Sequence, residues 1–590
     1  MLPRTRIALV CTFVLASTSP APGLAQAPAE QLHALFAEEW EWRLREYPTL
    51  ATAVGDHRYD DRLASVTIED EKRRAAHRRM LLERLESIDR AALGQEDRIS
   101  YDMFARDLRD AIEEFEYRGY LLPITSETGF HTGIASLPRS MQFRTTRGYD
   151  NYIARLRAWP RYAEQNIALM REGLRTGFTQ PRVVLDGYET TIAPHVVEVA
   201  DSSVFWAPFA AFPTGGPEAE RAWLREAGRA AIMEAVVPAY REFLRFFTQE
   251  YRPGARATVG ASELPDGRSY YAHLVRHYTT LDVTPDEVHA LGLKEVERIR
   301  GEMDAIIREL RFEGSFSEFL EFLRTDPRFY ATSPEQLLKE AAWIAKRMDG
   351  KLPSLFRTLP RQPYTVSPVP DHIAPKYTSG RYVGASLDGT EPGTYWVNTY
   401  NLRSRPLYVL ESLTLHEAVP GHHLQNALRK ELDDLPAFRR HGGINAYGEG
   451  WGLYSEWLGL EAGFYTDPYA NFGRLTYEMW RACRLVIDTG LHDKGWTRER
   501  ALEYLASNTA LSLHEVTTEI DRYISWPGQA LSYKMGELKI RELRTRAEAE
   551  LGSDFDVRAF HDVILLSGPV PLDVLDDKVD DWIAAEKGRV

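Results

Sequence analysis

The chain of 590 residues is 44% hydrophobic and 27% charged, which supplies a large buried core and excludes an intrinsically disordered chain. Its 72 Lys and Arg against 86 Asp and Glu leave a net charge of −14, and with no basic run a nucleic-acid partner is excluded. Two cysteines, Cys11 and Cys483, exclude a disulfide framework.

The first 25 residues read as an export signal. Arg4 and Arg6 precede the apolar segment Ile7 to Ala16, and Gly23-Leu24-Ala25 offers small residues for cleavage near Ala25. The apolar segment is too short to span a membrane. Cys11 lies inside it and not at its end, against a lipid anchor. The mature protein is expected to be periplasmic or secreted, with no membrane span, and nothing in the sequence specifies an oligomeric state.

Helical patterning dominates thereafter. Residues 30–46 and 69–117 space Leu, Ala and Phe helically among charges. Thr284-Pro285-Asp286-Glu287 and Ser333-Pro334-Glu335-Gln336 each combine a cap, Pro at the first helical position and an acid or amide two residues on. The Pro- and Gly-rich stretch 359–393 breaks this texture. Tyr364-Thr365-Val366 and Thr394–Thr399 are the strand candidates. The fold class is therefore mainly α-helical with a small β-sheet, built as an N-terminal helical part (26–260) and a catalytic part (261–590), or as one continuous domain over 30–585. Cys483, flanked by Trp480, Leu485 and Val486, reads as core.

The chemistry concentrates in His416-Glu417-Ala418-Val419-Pro420-Gly421-His422-His423 and Glu449-Gly450-Trp451. Imidazoles and a carboxylate that hold zinc, with a second carboxylate to move a proton, are the parts of a zinc hydrolase. In an unbroken helix His422 would stand roughly 240° around from His416, and His423 about 10.5 Å along the axis. Neither could then share a zinc ion with bonds of about 2.0–2.1 Å. Pro420 removes the hydrogen bond to the His416 carbonyl, and Gly421 frees the backbone for a bulge. That bulge makes His422 the expected second ligand, with His423 its rival. Glu449 is the expected third ligand. Glu456, seven residues on and on the same helical face, would orient a ligand histidine. One zinc ion per chain is expected, with Glu417 as general base.

Further candidates follow from residue type. Arg481, Arg484 and Arg522 could grip a substrate carboxylate through a bidentate fork. Asp488 and His492, at i and i+4, could act behind the ligands. Tyr533 is the candidate oxyanion donor. Lys534 adjoins it as a further substrate-binding candidate, although consecutive helical side chains do not share a face. His514-Glu515 has no second histidine and is set aside.

H-E-A-V-P-G-H-H-L-Q, E-G-W-G-L-Y-S-E, R-L-V-I-D-T-G-L-H (484–492), P-G-Q-A-L-S-Y-K-M-G (527–536) and the early G-D-H-R-Y-D-D-R-L (55–63) together resemble the bacterial family called domain of unknown function 885. The resemblance implies a zinc-dependent peptidase-like fold, distantly similar to gluzincins such as thimet oligopeptidase. Those enzymes bind metal through two His and a downstream Glu, and here the His spacing is expanded by two residues. It further implies that an edge strand pairs with the substrate backbone, a role that falls on 394–398 with Tyr395 and Asn398. The expected activity is hydrolysis of short peptides. A metal-dependent amidase or esterase on a small molecule, and a non-catalytic helical metal-binding protein, are the alternatives.

Overall fold

Capping chemistry sets the helix ends of the N-terminal part. The computed structural model describes residues 27–212, 217–371, 373–374, 377–385 and 391–588, so the expected export signal, with Cys11 and Ala25, lies outside the described residues. Helix α1 is Pro28–Glu46. The pattern over 69–117 resolves into two helices, α2 (Ile68–Glu86) and α3 (Gln95–Glu116), with Thr67 and Asp70 closing a capping box on α2. Between them Asp89 caps a separate short turn. Helices α4 (Thr146–Thr176) and α5 (Glu218–Ala231) follow, with shorter helices around them.

The C-terminal part begins with α6 (Gly267–Thr279) and α7 (Pro285–Glu309). Thr284 and Glu287 cap α7 reciprocally, as the sequence predicts. Ser333 caps α8 (Pro334–Asp349), but the Gln336 side chain turns back to the Thr332 N–H, 2.8 Å away, so this box is displaced by one residue. Then follow α9 (Leu410–Glu417), α10 (His422–Lys430), α11 (Asn445–Leu458), α12 (Pro468–His492), α13 (Leu513–Ser525), α14 (Ser532–Leu551) and α15 (Leu572–Lys587).

Helix α12 is the spine. Every residue from Phe472 to His492 is buried, Cys483 among them, whose thiol burial pushes up. Its apolar residues pack against α7, where Gly292 lies under Leu485 and Val486. One hydrophobic cluster runs from Leu32 to Ile583 and so joins both parts of the chain. The buried Glu478 carboxylate of α12 is met by several cations. Glu478 takes Lys534 at 2.9 Å, Arg474 at 3.0 Å and also Arg298. No helix of the described residues is long and apolar enough to cross a membrane.

The sheet has three strands, β1 (Tyr364–Pro368), β2 (Gly380–Val383) and β3 (Gly393–Val397), in the order β1-β3-β2. β3 runs parallel to β1 and antiparallel to β2. This corrects the assignment of 394–398 as an edge strand. Both sides of β3 are already hydrogen-bonded, so it has no free ladder to offer a substrate; the strand missed in sequence, β2, holds the edge.

Candidate metal centre

The helix carrying His416 stops at Glu417. Ala418 (ψ −113°) and Gly421 (ψ −129°) both leave helical geometry, the Val419–Pro420 peptide is cis, and α10 starts anew at His422. The expected bulge within one helix is therefore a break between two. Trp451 pins it by donating its indole N–H to the Pro420 carbonyl at 2.8 Å. His422 returns to His416 with the two rings at 89° and centroids 4.7 Å apart.

From α11, Glu449 completes the group. Ligand-type atoms of His416, His422 and Glu449 all lie within 4.8 Å of one another. Glu449 Oε2 is 3.6 Å from His416 Nε2 and 3.4 Å from His422 Nε2. Two helical turns further on, Glu456 Oε1 accepts the Nδ1–H of His416 at 2.8 Å, which leaves Nε2 for the group. Burial alone would lower the His416 imidazolium, but Glu449, Glu456 and Glu417 outweigh it and hold it up to about 10. His416 rests on Gly452, where an added Cβ would come within 2.7 Å of the ring. A polar cavity of about 240 Å³ opens on His422 and Glu449, with Asn426 and Arg429 in its wall.

Glu417 Oε2 accepts the backbone N–H of Tyr382 at 2.8 Å, so the base candidate touches the outer edge of β2. Tyr533 sits on the first turn of α14, where its hydroxyl accepts from Arg522 at 3.3 Å. Helices α11 and α14 meet backbone to backbone at Gly450 and Gly536, where a Cβ on Gly450 would lie 2.5 Å from the Gly536 Cα.

The profile of the family described as bacterial protein of unknown function (DUF885) matches residues 48–579. The chain belongs to this family. It is also similar to a solved structure described as the putative lipoprotein from Colwellia psychrerythraea, with 30% identity, a TM-score of 0.88, and coverage of 95% of this chain and 100% of that one. A second, described as a putative lipoprotein of unknown function from Shewanella oneidensis, shares the fold at 19% identity with a TM-score of 0.72, covering 94% and 99%. No protein of curated function matches the chain.

Several residues of this DUF885 chain stand elsewhere than their sequence roles required. His423, the rival ligand, donates Nε2–H to the Gln362 carbonyl (3.1 Å), and its Nδ1 accepts from the Tyr382 hydroxyl (3.3 Å); burial holds it down to about 4. Tyr395 is fully buried, its hydroxyl accepting from Thr414. Asn398 is also buried, and its amide clamps the carbonyls of Ala374, Tyr377 and Thr378. Neither can contact a substrate. Lys534 is spent on Glu478, Glu295 and Glu537.

Asp488 and His492 do not pair with each other or stand behind the histidines. Asp488 accepts from the Tyr271 hydroxyl (2.6 Å) and the Gly528 N–H, so it holds the turn that launches α14 and Tyr533. His492 bridges the Ala261 N–H and the Tyr523 carbonyl. The three arginines are engaged as well. Arg481 lies 3.6 Å from Glu456, Arg484 pairs with Glu519 (2.8 Å), and Arg522 donates to Gln529 (2.8 Å) and Tyr533. Burial by itself would raise Glu519, but Arg522 and Arg484 bring it down to about 2. Sequence reasoning missed Arg381 and Tyr382 of β2; their only signal was the short Arg-Tyr-Val run inside a Gly- and Pro-rich stretch.

Proposed function

We propose that this protein is a zinc-dependent hydrolase that cleaves peptide bonds in short peptides, with a catalytic layout resembling the gluzincins. One observation carries the reading: the His416, His422 and Glu449 ligand atoms converge. Two bonds of about 2.0–2.1 Å at a tetrahedral angle put ligand atoms about 3.3 Å apart. The separations of 3.4 and 3.6 Å fit a zinc ion with little adjustment. Two imidazoles and a carboxylate are also the donor set of catalytic zinc sites that keep a position open.

A zinc ion held by these three residues would lower the pKa of a water toward about 7 and polarise a carbonyl. The protein's own groups do the rest. Glu417, oriented by the Tyr382 N–H, takes the water proton and returns it to the leaving amine. Tyr533, with Arg522 beside its hydroxyl, is the donor for the developing oxyanion. Glu456 keeps Nε2 of His416 turned to the metal position. Retention of a carboxylate at 417, which a purely structural metal site does not need, favours catalysis over binding alone.

Export fits the same reading, since the solved neighbour at 30% identity is described as a putative lipoprotein. In this chain the position of Cys11 within the apolar segment favours release by cleavage near Ala25 over lipid anchoring.

The test is zinc content by elemental analysis on the mature protein, followed by a peptide-library digest. About one zinc per chain and cleavage abolished in Glu417→Gln are expected. A wild-type protein that takes up no metal when zinc is supplied would overturn the proposal.

A further inference from the structure

Beside the proposed base, Arg381 has no carboxylate partner among the described residues. Arg481, Arg484 and Arg522 are each bound to carboxylates or hydroxyls, as described above. No carboxylate of the described residues comes within 4.0 Å of Arg381, whose guanidinium lies over the Tyr377 ring at 5.3 Å.

Its position follows from the strand. Arg381 pairs with Trp396 across β2 and β3, and its neighbour Tyr382 gives its N–H to Glu417. Successive side chains of a strand leave on opposite faces. Tyr382 points to His423 on the α10 side, so Arg381 points to the other face, with Trp396. That face turns toward the N-terminal part, whose Arg139 stands over the Trp396 ring at 6.0 Å.

Ionisable groups of several elements surround Arg381. Its side chain is exposed, yet desolvation is the largest influence on its guanidinium, countered by Tyr377, Glu417, Tyr533 and Glu127, which together raise it. Three of those four belong to the proposed reaction centre or the wall opposite. Glu127 comes from the loop that Ser126 ties to Ser525 at the end of α13. No cation of the described residues lies within ion-pairing distance of it, and burial raises its carboxyl.

An exposed guanidinium stacked on a tyrosine ring, with no carboxylate of the described residues beside it, can take one from a ligand, and its fork matches a carboxylate. We propose that Arg381 binds the terminal carboxylate of the substrate, so that the enzyme acts on short peptides with a free C-terminus and cuts close to that end. This rests on the hydrolase reading and narrows it. Arg381, one residue along β2 from the contact with Glu417, leaves room for only a short leaving fragment between carboxylate and scissile bond.

Binding decides it without turnover. Zinc-loaded Glu417→Gln protein is equilibrated by dialysis against a tripeptide library with free C-termini and the same library amidated, and retained peptides are read by mass spectrometry. Retention of the free acids should exceed that of the amides roughly tenfold or more. Adding Arg381→Ala should erase the preference while leaving amide retention unchanged, and Arg381→Lys should restore part of it. Circular dichroism and zinc content show that each variant is folded and loaded. Equal retention of acids and amides, no retention of either, or loss of both in Arg381→Ala would overturn the assignment. A preserved acid preference in a wild type that cleaves no peptide would sink the hydrolase reading and leave the carboxylate site. Cleavage without acid preference would do the reverse.

Discussion

Glu456 and His416 form a buried carboxylate–imidazole pair, Oε1 to Nδ1 at 2.8 Å, forty residues apart in the chain. The pair fixes the tautomer and the ring plane of a proposed zinc ligand. Glu456→Gln keeps the shape and loses the charge. Zinc affinity should fall about 10–100-fold, measured by competition with a chromophoric chelator. An unchanged affinity would reduce Glu456 to a packing residue.

His422 and His423 separate cleanly. His422→Ala should abolish zinc binding in a folded protein, as should His416→Ala and Glu449→Ala. His423→Ala should keep zinc but lower the melting temperature, since it breaks the contacts with Gln362 and Tyr382. Metal retained in His422→Ala and lost in His423→Ala would invert the assignment.

Tyr533→Phe removes only a hydroxyl. If that hydroxyl stabilises the oxyanion, kcat should drop by about 10²–10³ while KM changes little. An equal effect on KM would point to ground-state contact instead. The measurement is steady-state kinetics on whichever library peptide the wild type cleaves.

Gly452→Ala tests the floor beneath the metal position. The new Cβ would come within 2.7 Å of the His416 ring, which α9 and Glu456 prevent from retreating. Zinc stoichiometry should fall while the circular dichroism spectrum stays helical. Full zinc occupancy would show that the ring has room to move.

Asp488 gives a pH signature of stability. Burial pushes its carboxyl up to about 7 from an ordinary value of 3.8, against the lowering influence of Tyr271 and Gly528. The folded protein therefore keeps a proton that the unfolded chain releases from about pH 4 upward. The stability this supplies is complete below about pH 4 and is lost as pH rises through about 7. Asp488→Asn should lack this loss, so its melting temperature should gain on the wild type between those values. Parallel profiles would refute the assignment.

The site residues legible in sequence were those whose chemistry shows in a local motif, even though their partners lie 33 to 40 residues away. His416, Glu417, Glu449 and Glu456 stood out because charged groups recur on otherwise apolar helical faces. Pro420 and Gly421 announced a distortion, but its form depends on Trp451, a partner 31 residues on. Non-local pairing hid the rest. Gly380–Val383 becomes a strand only because β3 offers it a ladder, and without it β3 passes for an edge and Arg381 for a loop residue. Lys534 looked like a catalytic neighbour of Tyr533 because sequence cannot show that Glu295, Glu478 and Glu537 converge on it.

The glycine crossing of α11 and α14 has a mechanical consequence. With no side chains between Gly450 and Gly536 there is nothing to compress or repack, so the two helices behave as one rigid piece. Glu449 adjoins the crossing on one helix, and Tyr533 lies one turn before it on the other. The spacing from the proposed metal position to the Tyr533 phenol is thus set by backbone contact and not by side-chain packing.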